Sequence, residues 1–141
     1  MSYLSKEFFN EKEVLFLGYS GKNQGFSKMV YEAFLKNGIK VYPVNNKESG
    51  KYDVKVYKSI EDLPKMPRTV YILLNKENTR NAIHTLKGKE VNKILFQSKR
   101  NIDTDMLEEC KKMGIETSIA CPMMRFGSGI HRIHGYFAGV K

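Results

Sequence analysis

The strongest constraint in this 141-residue sequence is the recurrence of short apolar runs, several rich in β-branched or aromatic residues, at wide and nearly regular intervals. The runs are Val14 to Leu17, Ile39 to Val44, Thr69 to Leu74, Lys93 to Gln97 and Ile115 to Ala120, and their starts lie 25, 30, 24 and 22 residues apart. Antiparallel neighbours need only a tight turn between them, whereas parallel neighbours need a crossover of roughly a dozen residues or more. The spacing predicts five strands in a mainly parallel sheet.

Between the runs the period becomes that of a helix. Phe26, Met29, Val30, Ala33 and Phe34 form one apolar stripe that stops at Asn37-Gly38. A second helix is expected from a cap at Asn78 or Thr79, with Ala82, Ile83 and Leu86 inward, His84 outward and a stop at Gly88; a third follows Asp103 or Thr104, with Met106, Leu107, Cys110 and Met113 inward and a stop at Gly114. The stretch from Gly50 to Pro67 reads as a short edge strand at Val54 and Val56, then a brief helix opened by the Ser59-Ile-Glu-Asp box. Leu4 and Phe8 stand at helical spacing and are expected to pack on the sheet. With no repeat or low-complexity linker, the expectation is a single three-layer α/β domain over residues 1–141, core 14–122, with helices on both faces of the sheet. The extension 123–141 carries Met123, Met124, Phe126, Ile130, Ile133, Tyr136 and Phe137, four glycines and no acidic residue. It is too apolar for a free tail, so it is expected to pack on the domain or to form a homodimer contact.

Composition narrows the class of partner. Lys and Arg number 24 against 15 Asp and Glu, a formal charge of +9, and 41% hydrophobic with 28% charged residues is a globular balance. Two cysteines cannot build a disulfide framework, and the sequence has no apolar run of membrane-spanning length and no leader-like apolar segment. A cytoplasmic location without membrane contact is the default expectation. The positive excess favours an anionic partner, and where the charges sit must decide which.

In an open parallel sheet ligands bind at the carboxyl ends of the strands. The first run leads into Gly18-Tyr-Ser-Gly-Lys-Asn-Gln-Gly25, the second into Asn45-Asn46-Lys47, the third into Asn75-Lys76, the fourth into Gln97-Ser98-Lys99-Arg100 and the fifth into Cys121. Each of these loops alone is ordinary polar surface; four that pair a hydroxyl or amide with a cation on one edge point to an anion site. The Gly18 to Gly25 loop opens directly into a helix N-terminus, the geometry of a phosphate cradle. It lacks the G-x-G-x-x-G pattern, because position 20 is Ser20, and it lacks a Walker A loop, because Gly21-Lys22 is followed by Asn23. Asn45, Asn46 and Lys47 stand where an NAD site of that type carries an acidic residue for the ribose. They suit a phosphorylated ribose better: the 3′-phosphate of coenzyme A, with about −1.5 to −2 charges, or the 2′-phosphate of NADP.

Taken in order, Gly18-Tyr-Ser-Gly-Lys with Gly25, Val41-Tyr-Pro-Val-Asn45, Val56-Tyr57 with Ser59-Ile-Glu-Asp-Leu-Pro64, Leu95-Phe-Gln97 and Cys121-Pro122 resemble stand-alone CoA-binding proteins related to the nucleotide-binding domain of the succinyl-CoA synthetase α subunit. The resemblance covers roughly Val14 to Pro122. It implies a Rossmann-like sheet that binds coenzyme A, with Ser20, Gly21 and Lys22 near the phosphates, Asn45 to Lys47 near the adenosine end, and the turn at Leu74 and Asn75 closing over the nucleotide. Gly18, Tyr19, Gly25, Phe26, Gln97, Ser98 and Cys121 complete the candidate set. Two departures stand out: the usual V-N-P reads Val44-Asn45-Asn46, and Leu73-Leu74-Asn75 ends the third strand where proline is common. The ligase needs a phosphohistidine domain and an ATP-grasp partner, for which 141 residues leave no room, so its activity is not expected here.

Cys121 invites a sharper reading, as a nucleophile or mixed-disulfide partner at the ligand edge; the plainer reading is a small buried hydrophobe before proline. Cys110 reads as core. His131 and His134 do not stand at a recognisable metal spacing from Cys121 and suit a polar helix face or dimer contact, so no metal is expected. No general acid, base or triad accompanies the strand ends, so the expected function is a binding or regulatory module for CoA or an acyl-CoA. The alternative is an NADP- or thiol-dependent enzyme using Cys121. A nucleic-acid binder fits less well, because the cations are spread along the chain and the aromatic residues lie in strands and helix stripes.

Overall fold

The structure, a computed structural model, describes residues 6–19, 25–45 and 54–122. Its strands are β1 (Glu13–Leu17), β2 (Lys40–Val44), β3 (Thr69–Ile72), β4 (Lys93–Phe96) and β5 (Glu116–Ile119). They form one sheet in the order β2-β1-β3-β4-β5, every pair parallel. The α-helices are α1 (Phe26–Lys36), α2 (Lys76–Thr85) and α3 (Thr104–Lys112).

Strand alternation sends successive side chains to opposite faces, and here both faces are covered, which is why the runs read as continuously apolar. Val14, Phe16, Val41, Tyr71 and Leu95 pack with Val30, Ala33 and Phe34 of α1 and with Phe8 and Phe9. Leu15, Leu17, Tyr42, Val70, Ile72, Ile94 and Phe96 pack with Ala82 and Ile83 of α2 and Met106 and Cys110 of α3. The first crossover runs outward from β1 in one direction with α1 on one face. The crossovers after β3 and β4 run the other way with α2 and α3 on the opposite face, so these three keep one hand. This is the three-layer α/β architecture expected from the spacing, with the Rossmann-like sheet that the resemblance implies. The α1 face is knitted by rings: Phe16 and Tyr71 meet edge to face at 4.9 Å, and Phe34 lies 5.9 Å from Tyr71 and 5.1 Å from Phe9.

Several boundaries differ from expectation, each for a local reason. The second helix begins at Lys76, because Asn75 is its cap and accepts from the Asn78 N–H at 2.8 Å. Thr79 is instead buried, its hydroxyl donating to the Leu74 carbonyl at 3.2 Å. Met29 is 38% exposed at the margin of the α1 stripe, and Ser27 takes an inward place. The Val54 to Tyr57 segment makes one parallel bridge, Val44 to Tyr57, and no longer strand. The turn at Ser59 is a 3₁₀ helix, Ile60–Asp62, closed by the Ser59 carbonyl and not by its side chain. Phe8 and Phe9 end a 3₁₀ turn, Lys6–Phe9, that packs on the sheet as expected; Leu4 and the extension 123–141 lie outside the described residues.

Pro43 sits within β2 without disturbing the sheet. Its carbonyl accepts from the Tyr57 N–H at 2.9 Å, on the side away from β1, so its nitrogen also faces outward and the β1 ladder loses no donor.

At the other side of β1, Gly18 has φ +97°, and a Cβ there would collide with the Leu73 carbonyl oxygen and come within 2.8 Å of Leu74 Cδ2. Gly88 also has positive φ, +80°, but a Cβ there would meet nothing within 4 Å. Gly88→Ala should therefore cost only left-handed strain, about 1–2 kcal/mol. Gly18→Ala should cost at least about 1 kcal/mol more. Urea unfolding of the two variants checks this, and equal losses would mean that the contact with Leu73 carries no strain.

Asp103 caps α3, accepting from the Met106 N–H at 2.9 Å and from Arg80 Nη2 at 2.6 Å. That backbone bond first, and Arg80 with it, hold its carboxyl below the ordinary 3.8. A depressed folded value means that the stabilisation is full above the ordinary value and is lost as pH falls through the folded one. Asp103→Asn keeps a capping oxygen that does not titrate, so its urea midpoint should fall less steeply with acid than that of the wild type. Parallel pH profiles would show that Asp103 contributes nothing to acid sensitivity.

Candidate functional site

The strand order reverses direction between β1 and β3: the chain leaves β1 toward β2 and leaves β3 toward β4. At such a switch point the two connections diverge and leave a crevice outside the carboxyl ends. The described residues that leave the two strands at this reversal are Gly18-Tyr19 after β1 and Leu73-Leu74-Asn75 after β3. The Leu73 N–H donates to the Leu17 carbonyl at 2.9 Å and the Gly18 N–H to the Val44 carbonyl at 3.0 Å, so Gly18 is bonded into the end of β2 while its Cα lies against Leu73. A side chain at this position would hold the two strand ends apart.

Of the residues singled out from sequence, Ser20, Gly21, Lys22, Asn46 and Lys47 lie outside the described residues. The others gather along the carboxyl edge in distinct ways. Tyr19 has its ring in the core, 5.4 Å from Phe16 and 5.3 Å from Tyr31, and offers its backbone carbonyl to Asn45 Nδ2 at 2.7 Å. Asn45 thereby ties the end of β2 to the loop leaving β1. Gly25 is the N-cap of α1, and its carbonyl accepts from Lys28 and Met29. Phe26, half-buried, seats the first turn of that helix on the core. Leu74 is half-buried over Gly18, and Asn75 is exposed with its Oδ1 committed to the α2 cap.

Past β4, the Gln97 Oε1 accepts from the Tyr71 hydroxyl at 2.5 Å, and the Ser98 Oγ accepts from the Arg100 N–H at 3.1 Å, capping the 3₁₀ turn Lys99–Asn101. Asn75, Gln97 and Ser98 thus share one pattern. The scaffold consumes an acceptor on each and leaves the donor, Asn75 Nδ2, Gln97 Nε2 or the Ser98 O–H, with no acceptor among the described residues. Lys76, Lys99 and Arg100 are exposed beside them and form no ion pair among the described residues. Glu77 and Asp103 are the nearby carboxylates in sequence, and Asp103 is engaged by Arg80. An edge of donors and cations suits a ligand rich in acceptor oxygens and negative charge.

Cys121 is 1% exposed in the core on the α1 side, next to buried Ala120 and Pro122. That is the environment of the plainer reading, a packed thiol. Cys110 lies on the other face, where burial pushes its thiol up to about 11. The sequence marks Tyr71 only as strand core, and its link to Gln97 is a contact of the folded sheet. The available signal was chemical: a buried tyrosine needs a partner for its hydroxyl, and Gln97 lies two residues beyond Leu95, the register partner of Tyr71. Burial, with the Cys121 thiol acting in the same direction, raises the Tyr71 hydroxyl well above its ordinary 10.0, so it stays protonated and donates. Among the described residues no three His, Cys, Asp or Glu side chains come together as a metal site, and no helix is long and apolar enough to cross a membrane.

The fold and the edge can be set beside known proteins. Prb, a protein redesigned for binding, is similar over 92% of this chain and 89% of its own, with 22% identity and a TM-score of 0.74. A hypothetical protein from Pyrococcus horikoshii OT3 is similar over 94% and 93%, with 22% identity and a TM-score of 0.72. A protein from Thermus thermophilus is similar over 92% and 94%, with 15% identity and a TM-score of 0.72. At these identities the likeness establishes the fold. No match was found among curated proteins. The profile of the CoA binding domain matches residues 12–126, which takes in all five strands and their carboxyl ends, and the chain belongs to that CoA-binding domain family.

Proposed function

We propose that this protein binds coenzyme A or an acyl-CoA across the carboxyl ends of β1 and β3, as a binding or regulatory module. The observation that carries the reading is the shared polarity of Asn75, Gln97 and Ser98: the scaffold takes their acceptors and leaves their donors without an acceptor among the described residues, next in sequence to Lys76, Lys99 and Arg100. Coenzyme A is the complementary ligand, with its pyrophosphate, its 3′-phosphate and the amide carbonyls of its pantetheine arm. The close approach at Gly18 supports a backbone-lined crevice, and the family membership supports CoA over other anions. Following the sequence resemblance, Ser20, Gly21 and Lys22 contact the phosphates, and Asn45, Asn46 and Lys47 the adenosine end. Gly25 and Phe26 present the α1 N-terminus, whose dipole favours negative charge. The kinship to the succinyl-CoA synthetase domain extends to nucleotide binding and not to the ligase reaction. The burial of Cys121 favours packing over thiol chemistry, which leaves the enzyme reading without an observation of its own.

A thermal-shift panel of CoA, acetyl-CoA, dephospho-CoA, NADP and NAD tests the reading. At about a hundredfold excess over Kd, a ligand selective for the folded state adds about 2.7 kcal/mol, a rise of roughly 5–10 °C for a domain of this size. CoA should produce such a rise and dephospho-CoA a smaller one, and Lys22→Glu or Asn45→Asp should reduce the CoA effect. A rise with NADP alone would replace this reading with a reductase, and no rise with CoA would overturn it.

A further inference from the structure

Among the described residues of the carboxyl edge, Gln97 has its amide oxygen held by a hydroxyl of the core. Its partner, Tyr71, is fully buried, held at 4.9 Å by Phe16 and at 5.9 Å by Phe34, so the hydroxyl cannot follow a moving side chain. Because that hydroxyl keeps its proton, it can serve as a donor to the Gln97 oxygen at any working pH. A carboxamide has one oxygen and one NH2, so fixing the oxygen inward directs Nε2 the other way. Gln97 is half-buried and Nε2 has no acceptor among the described residues. A held donor that no described residue accepts from, one strand away from the reversal of winding, is the arrangement of a preorganised ligand contact.

We propose that Tyr71 is a positioning residue that aims the Gln97 carboxamide, and that Gln97 Nε2 donates to an acceptor oxygen, phosphate or amide carbonyl, of the bound CoA. This rests on the CoA reading above and adds to it the atom of Gln97 that makes the contact and the buried group that sets it. The geometry separates two roles that a structural side chain would not. Gln97→Glu retains an acceptor for Tyr71, so the internal hydrogen bond survives, but it replaces the outward donor with an anion. Tyr71→Phe retains the ring contacts and removes only the hydroxyl that fixes the amide.

Titration calorimetry with CoA, together with the melting temperature of each unliganded variant, decides between them. Gln97→Glu should keep a melting temperature near that of the wild type and bind CoA about tenfold or more weakly. Tyr71→Phe should weaken binding about threefold to tenfold, and the double variant should bind within about twofold of Gln97→Glu alone, because the hydroxyl acts only through the amide. A loss repeated with adenosine 3′,5′-bisphosphate assigns the contact to a phosphate oxygen; a loss with CoA alone assigns it to the remainder of the molecule. Wild-type affinity in Gln97→Glu, or additive losses in the double variant, would overturn the proposal while leaving CoA binding intact. Absence of CoA binding by the wild type would overturn both readings together.

Discussion

The close approach of β1 to β3 is the constraint on which the rest of the site depends. The two strands are sequence neighbours of neither kind, since β2 lies between them in the chain, yet they pair at the centre of the sheet with Leu17 opposite Ile72. Beyond that pair the backbone of Gly18 lies against the Leu73 carbonyl and leaves no room for a Cβ. The reversal of winding direction occurs at this junction, so the close approach at Gly18 falls where a parallel sheet of this kind opens for a ligand. The aromatic contact between Phe16 and Tyr71, on the same two strands one layer below, braces the junction from the α1 side.

From this junction a division of labour follows among the polar residues of the carboxyl edge. Asn75, Gln97 and Ser98 each use one polar atom to secure a piece of backbone or a buried hydroxyl. Satisfying that atom internally fixes the side chain and leaves its remaining capacity oriented before any ligand arrives. Such preorganisation lowers the entropy cost of binding, because the rotamers are already restricted by the fold. The internal bonds at Asn75, Gln97 and Ser98 all consume acceptors, so the residual capacity of the edge is biased toward donation, in agreement with its cations. The two cysteines stand outside this scheme, each in the apolar interior of its own face, where a thiolate is disfavoured by desolvation in the case of Cys110 and access is closed in the case of Cys121.

Much of the architecture was readable in the chain because strand and helix periods are local properties. The runs at Val14 and Thr69 are apolar on both alternations, which only a sheet covered on both faces explains, and the stripe Val30, Ala33, Phe34 could serve only one of those faces. Boundaries were less legible. Asn75, Asn78 and Thr79 are all competent helix caps, and the choice of Asn75 reflects where β3 ends against Gly18, a long-range fact. Likewise Val54 to Tyr57 has strand-like composition, but its pairing is limited to the outward carbonyl of Pro43 and the N–H of Asn45 on an edge strand.

For the site, the chemical inventory is legible in the chain: amides, hydroxyls and cations following the strands, a glycine-rich loop before a helix, and an asparagine where an acidic ribose partner would otherwise stand. Composition and spacing suffice for that, since the carboxyl end of every parallel strand falls on the same edge whatever the strand order. The folded sheet alone set the order β2-β1-β3-β4-β5, and with it which two strand ends flank the reversal of winding. It also decided which atom of each polar side chain is spent within the fold. Gln97 and Tyr71 are 26 residues apart in sequence, and no local pattern could show that the oxygen of one would be claimed by the hydroxyl of the other. The physical reason is that hydrogen-bond partners of a buried group are chosen by strand register and ring packing, which exist only once the sheet has formed.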